Sequence, residues 1–384
     1  RLHINSCDFS LENYSYVDDY DTRLESFDIS REARWVIPTV QEAGALAGRP
    51  LFLLASPWSP PAWMKSNGRM NGGGTLLPEF RRTWADYYVR YVQAMAARGI
   101  KIAALTVQNE PAAEQLWDSC LYSAAEERDF LRDYLGPALQ GVETGVETRD
   151  GAGFSGLKLL IWDHNRDLVF ERARTVLSDQ AAARYVWGVG HHWYVSEEFE
   201  NLSRLHHAFP DQHLVFTEGC QEGGPQVGEW FTGERYGRNI IGDMRNWVEG
   251  WIDWNIVLDE NGGPNHVGNY CDAPVIADTA AGEVYFNSSY WYIGHFSRFV
   301  PPGSLRIASD DAGAAGEAGT ADPSAGLHHI AFLTPAGELV IVIMNESERD
   351  RRVALCWASN AAAASCEVPA HSIVTLKGDV QALL

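Results

Sequence analysis

The chain has 384 residues, with 51 acidic side chains against 30 basic ones and a formal net charge of −21. That balance argues against nucleic acid, which needs a basic face, and against an anionic membrane surface; a neutral partner or substrate fits best. With 46% hydrophobic and 21% charged residues, the composition is that of a globular protein with a full-sized core, split into one large domain and one small one.

No apolar run approaches the length that spans a bilayer, so no integral membrane segment is expected. The cysteines at Cys7, Cys120, Cys220, Cys271, Cys356 and Cys366 show neither C-x-x-C nor zinc spacing. The first residue is Arg1. A signal region lying upstream would fit a secreted or periplasmic protein.

Residues 1–7 read as the tail of a strand, followed by Asp8 on a loop rich in Tyr, Asp and Ser. A helical stretch over 31–47 is expected to break at Pro38. Residues 50–55 form a continuous apolar run, the mark of a strand buried on both faces. A rigid proline-rich loop carrying Trp58 and Trp63 follows. Residues 79–98 make a helix with an apolar face of Trp84, Tyr87, Tyr88, Tyr91, Val92 and Met95.

The strand at 102–107 then stops at Gln108, Asn109 and Glu110, and Pro111 forbids its continuation. Ser123 and Glu126 form a capping box for a helix running to residue 139, and 141–156 reads as a surface insertion.

Strands at 157–162, 185–190 and 214–218 end respectively at Asp163, at His191-His192-Trp193-Tyr194 and at Glu218. Helices are expected at 169–177, 201–209, 237–249 and 290–299, with a strand bearing Trp254 and Asn255 over 251–258. From residue 303 the character changes to short β-type runs at 327–332, 338–345, 353–356 and 371–376, with an Ala/Gly/Asp-rich loop at 310–326.

Strand, helix, strand, helix, with a polar motif at each strand's C-terminal end, is the (β/α) barrel pattern. Six whole strands and the end of a seventh are visible, whereas a closed barrel takes eight. The expected fold is therefore a (β/α)8 barrel lacking its first strand, that strand's helix and most of the second strand. Residues 1–302 form this barrel, and 303–384 a small antiparallel β-sandwich.

A carboxylate on the lip of a buried strand, beside an amide, is where such a fold places chemistry. Glu110 and Glu218 each meet that description, three strands apart, so they are expected to face each other across the mouth. Two opposed carboxyls suit cleavage of a glycosidic bond: one donates a proton to the leaving oxygen and the other attacks the anomeric carbon. Either glutamate alone would read as a cap or surface carboxylate; the pair in this pattern does not. Trp faces near the site, among them Trp58, Trp63, Trp117, Trp162, Trp193, Trp230 and Trp254, would stack on sugar rings, although buried tryptophan is also ordinary packing. An Asp163–His192 pair has no third group at ligand spacing, so no metal and no cofactor is expected.

The segments Ala55-Ser-Pro-Trp-Ser-Pro-Pro-Ala-Trp63, Thr106-Val-Gln-Asn-Glu-Pro111, Thr217-Glu218, Gly262-Gly-Pro-Asn-His-Val-Gly-Asn269 and Gly294-His-Phe-Ser-Arg298 together closely resemble glycoside hydrolase family 30, which includes glucosylceramidases and microbial β-1,6-glucanases. The resemblance covers nearly the whole chain. It implies a retaining β-glycosidase on a (β/α)8 barrel with a side β-sandwich, with Glu110 as acid/base and Glu218 as nucleophile. It also implies a glucose subsite of Asp8, Trp58, Asn109, Tyr194, Trp254 and Asn269, with His192 beside it. Glucosylceramide or a β-glucan is the substrate expected from this likeness. The alternatives are an endo-β-1,6-glucanase and a non-catalytic sugar-binding fragment.

Overall fold

The computed structural model describes residues 1–140, 156–310, 326–356 and 362–379. The expected insertion at 141–156 and the loop at 310–326 lie outside the described residues, apart from their edge positions. The chain forms two compact units: Arg1–Gly219 with Val248–Trp254 and Gly263–Asn269, and Cys220–Trp247 with Asn255–Gly262 and Tyr270–Leu384.

The first unit is built on seven strands, β1 (Leu2–Ile4), β2 (Leu54–Pro57), β3 (Ala104–Thr106), β4 (Lys158–Asn165), β5 (Gly188–His192), β6 (His213–Glu218) and β7 (Val248–Trp251). They lie in that order in one all-parallel sheet. Parallel neighbours demand crossover connections, which the helices between strands supply. Leu54, Ala104, Leu160 and Val215, from four strands, meet in one buried cluster with Trp187 and Ile252 against it. Helix Val169–Leu177 covers the sheet with Val169, Phe170, Ala173, Val176 and Leu177, one stripe at helical spacing. Strand direction brings the ends of β3 to β6, with their polar residues, to one edge of the sheet.

The second unit contains helices Phe231–Arg245 and Ser288–Ser297 and a small sheet of β8 (Val257–Asp259), β9 (Val275–Asp278) and β10 (Glu283–Phe286). Its C-terminal part has β11 (Leu305–Ile307), β12 (Leu327–Leu333), β13 (Glu338–Asn345) and β16 (Ser372–Asp379) in one antiparallel sheet, and β14 (Arg351–Cys356) with β15 (Ala362–Val368) in another. This is the expected sandwich.

Four local expectations are corrected. Pro38 does not break its helix, which runs Val36–Ala47; the proline sits in the first turn, where no intrahelical N–H partner is lost. The helix expected from Gly237 starts at Phe231 and ends at Arg245. Its Gly233 and Gly237 are contact points for Tyr292, which a side chain would strike. The single strand expected over 251–258 is two: β7 ends at Trp251, Trp254 lies on the following loop, and β8 joins another sheet. Finally, the strands β9, β10, β11 and β15 were not expected. Among the described residues no helix is long and apolar enough to cross a membrane.

Candidate active site

The sequence around the ends of β3 and β4 forces unusual backbone. Glu110, Trp162 and Asp163 all have positive φ, at 48°, 72° and 52°, a region side chains other than glycine rarely occupy. Glu110 N–H donates to the Asp163 carbonyl at 3.0 Å and Asn109 N–H to the Pro57 carbonyl at 2.9 Å. These bonds offset the strain and turn the Glu110 side chain out of the strand line. Gly190 in β5 lets the neighbouring strands close in: a Cβ there would stand 2.9 Å from Thr217 Cγ2 and 3.3 Å from Asp163 Cα.

Glu110 and Glu218 do meet. Oxygens of the two carboxylates and a ring nitrogen of His192 lie within 4.8 Å of one another. His192 is fully buried between them. Its Nε2 is 3.0 Å from Asp163 Oδ1, while its Nδ1 is 3.3 Å from Glu110 Oε1 and 4.0 Å from Glu218 Oε1. Tyr194 Oη donates to Glu218 Oε1 at 3.0 Å. Gln115 Nε2 donates to Glu110 Oε2 at 3.3 Å.

Arg1 was not singled out from the sequence. Its guanidinium donates to Glu218 Oε2 at 2.7 Å, to Asp163 Oδ2 at 2.7 Å and to Asn109 Oδ1 at 2.8 Å. It also lies over Trp58, 4.8 Å from the ring centroid, and 5.7 Å from Trp254. Those two rings stack on each other at 4.8 Å. Trp58 is fully buried against Arg1 and Trp254, while Trp254 stays half-exposed. Trp63, Trp162 and Trp193 pack elsewhere, against Phe80, His164 and Phe216 respectively, and Trp230 belongs to the second unit.

Asp8 is buried, and its Oδ2 accepts from Asn269 Nδ2 at 3.0 Å and Asn265 Nδ2 at 3.2 Å. Asn265 lies within the 262–269 segment, whose pattern does not single it out.

The charges are unbalanced. Asp8, Glu110, Asp163 and Glu218 are four buried carboxyls, with Arg1 and His192 the cations among them. Burial works against a charge on His192, but Glu218, Asp163 and Glu110 outweigh it and lift the imidazole to about 9. Burial also raises Asp163, yet Arg1, His192 and Thr217 prevail and hold it well below the usual carboxylate range. Burial carries Asp8 up to about 7 against the hydrogen bond from Asn269. For Glu218, burial outweighs the attraction of His192 and Arg1 and raises it; for Glu110, the His192 hydrogen bond and charge outweigh burial and lower it.

Glu110, His192 and Glu218 are near enough to offer three ligand atoms to an ion. However, both ring nitrogens of His192 already face carboxylates, and Arg1 already neutralises Glu218. The site supplies its positive charge from side chains.

Comparison with known proteins agrees with this architecture. The glycosyl hydrolase family 30 TIM-barrel domain model matches residues 1–300, and the family 30 beta sandwich domain model matches 303–376. The lysosomal acid glucosylceramidase of Mus musculus is 36% identical over 368 residues, 91% of this chain and 67% of that protein. An endo-1,6-beta-D-glucanase of Neurospora crassa is 30% identical over 360 residues, 90% of this chain and 70% of that protein. The crystal structure of SrfJ from Salmonella typhimurium superposes with a TM-score of 0.87 at 35% identity, covering 98% of this chain and 80% of that one. With two opposed buried carboxyls at the strand ends and both family domains matched, this chain belongs to glycosyl hydrolase family 30 and is a glycoside hydrolase.

Proposed function

We propose that the chain is a retaining β-glycosidase that hydrolyses β-glucosidic bonds by double displacement, with a glucosylceramidase-like preference. The observation that carries it is the approach of Glu110 and Glu218 oxygens within 4.8 Å. Retaining enzymes hold their two carboxyls about 5 Å apart, whereas inverting ones leave roughly 6.5–9.5 Å for a water.

Glu218 attacks the anomeric carbon as the bond to the leaving oxygen breaks and Glu110 gives that oxygen a proton. Water then enters, loses a proton to Glu110 and releases the sugar from Glu218. Burial raises the Glu218 carboxyl and His192 lowers that of Glu110, whereas this reaction starts with the proton on Glu110. The contacts support the assignment nonetheless. Arg1 and Tyr194 both donate to Glu218, and donors of that kind hold a carboxylate ionised and aimed. His192 Nδ1, 3.3 Å from Glu110 Oε1, weakens the hold of Glu110 on its proton, which eases release of that proton to the leaving oxygen.

Asp8, Asn109, Trp254 and Asn269 form the proposed sugar subsite. Ionised Asp8 accepts from two adjacent hydroxyls. Residues 1–302 are the proposed catalytic part and 303–384 the side domain.

Substitution Glu218→Gln should abolish turnover and prevent trapping by a 2-fluoro-glucoside, read by mass spectrometry. If the label attaches to Glu110 in the wild-type chain, the two roles are exchanged. The neighbouring reading, an endo-β-1,6-glucanase, draws on the 30% identical glucanase relative. Glucose release from glucosylceramide against cleavage of a β-1,6-glucan decides between them; binding without cleavage of either would leave a sugar-binding fragment.

A further inference from the structure

Two buried polar atoms close to Asp8 have no hydrogen-bond partner, Asp118 Oδ2 and His266 Nε2. They lie 3.6 Å apart, on side chains that are 0% and 10% exposed. The opposite end of each group is occupied. Asp118 Oδ1 accepts from Asn13 Nδ2 at 2.9 Å and from the Ser6 hydroxyl. His266 Nδ1 is 3.1 Å from the Asp8 carbonyl and 3.2 Å from the Ser10 carbonyl. The His266 backbone N–H also donates to the Asp8 carbonyl at 3.0 Å.

Both neighbours of Nδ1 are carbonyl oxygens, which only accept, so Nδ1 carries a hydrogen. Nε2 then faces a carboxylate oxygen that itself lacks a donor. The two unpaired atoms thus stand opposite each other at 3.6 Å, and the contact links two buried side-chain ends. Three loops are tied together by this contact: the one after β1 that carries Asp8, the one after β3 that carries Asp118, and Gly263–Asn269, whose Asn265 and Asn269 hold the Asp8 carboxylate.

We propose that His266, braced by Asp118, is a positioning residue for Asp8: it clamps the Asp8 backbone while Asn265 and Asn269 orient the carboxylate towards the sugar. This rests on the glycosidase reading with Asp8 as the hydroxyl acceptor. His266 touches no reacting atom, so its effect should run through substrate binding.

His266→Asn keeps a donor near the Nδ1 position and removes Nε2; Asp118→Asn keeps the shape and removes the charge. Each is assayed in the full chain with an aryl β-glucoside, after near-UV circular dichroism shows native packing. Each should raise KM about tenfold with a smaller change in kcat. In an Asp8→Ala background the same His266 substitution should change kcat/KM by less than about twofold, because its route is already cut. Unchanged KM in both single variants, or a loss in the Asp8→Ala background as large as in wild type, overturns the proposal. If the wild-type chain turns over no glucoside, the functional reading fails instead. The crystal structure of His266→Asn then still decides the clamp: a displaced Asp8 carboxylate supports it, and an unmoved one overturns it.

Discussion

Arg1 is the residue on which most of the site's side chains converge. One guanidinium bonds Glu218, Asp163 and Asn109 and covers the Trp58–Trp254 stack. A planar fork with five donors can meet several acceptors at fixed angles; an ammonium cannot. Arg1→Lys should therefore lower kcat/KM roughly tenfold or more, with a fall in Tm, because two buried carboxylates lose part of their pairing. An aryl glucoside assay beside a thermal melt checks it, and wild-type values in both would show the fork to be dispensable. At this scale the sequence was legible wherever a polar residue closes an apolar strand. Glu110 and Glu218 are read that way, whereas Tyr194 and His192 enter through the family resemblance. Arg1 was not legible because it begins β1 instead of ending it: its long side chain reaches along the sheet to the other strand ends.

Strand junctions are where the fold transmits geometry to the site. Gly190 lies where β4, β5 and β6 meet, and Thr217 Oγ1 beside it donates to Asp163 Oδ1 at 2.6 Å. A methyl in that space would press on Thr217 Cγ2 at 2.9 Å and Oγ1 at 3.0 Å. Gly190→Ala should cost about 1–3 kcal/mol by overpacking and should also reduce kcat, because Thr217 can no longer hold Asp163 under His192. Ser123→Ala is the matched control. It deletes one half of a capping box in which Ser123 accepts from Glu126 N–H at 3.2 Å and Glu126 accepts from Ser123 N–H at 2.8 Å. It should cost about 1 kcal/mol and leave kcat unchanged. Paired melts and rates separate the two; equal effects on kcat would refute the distinction. The elements read correctly from sequence were those with one strong period or a sharp stop: the doubly buried strands, the helix Val169–Leu177, and β13. Two of those misread turned on proline and glycine. Pro38 is harmless in a first turn, and Gly233 and Gly237 are close-packing positions facing Tyr292 inside a helix. Breaker residues are ambiguous until their neighbours in space are known. The hairpin of β9 and β10 escaped because its strands are short, with Ile276 their one fully buried residue and β10 largely exposed.

The first unit buries a cluster of charges, and that makes the chain's stability depend on pH in a defined direction. Asp8 moves from an ordinary 3.8 up to about 7 on folding. The folded state thus holds a proton that the unfolded state has released, and stability falls as pH rises across that interval. His192 moves from 6.5 to about 9. Its contribution is fully present below 6.5 and is lost as pH rises through about 9. Asp163 is depressed below its ordinary 3.8, so its contribution is present above that value and is lost as pH falls below it. The three together place the site's greatest stabilisation in mildly acidic solution, with a decline on either side. Tm measured against pH should fall steadily from about pH 5 to about pH 9. Asp8→Asn should flatten the lower part of that decline and His192→Gln the upper part. Each substitution removes one titrating proton and leaves the other's window in place. A wild-type Tm that rises between pH 5 and 9, or the same slope in His192→Gln as in wild type, would show that His192 is not held as a buried cation among the carboxylates. That cation is also what allows Glu110 and Glu218 to approach as closely as they do, so the pH profile of stability and the proposed reaction depend on the same buried proton.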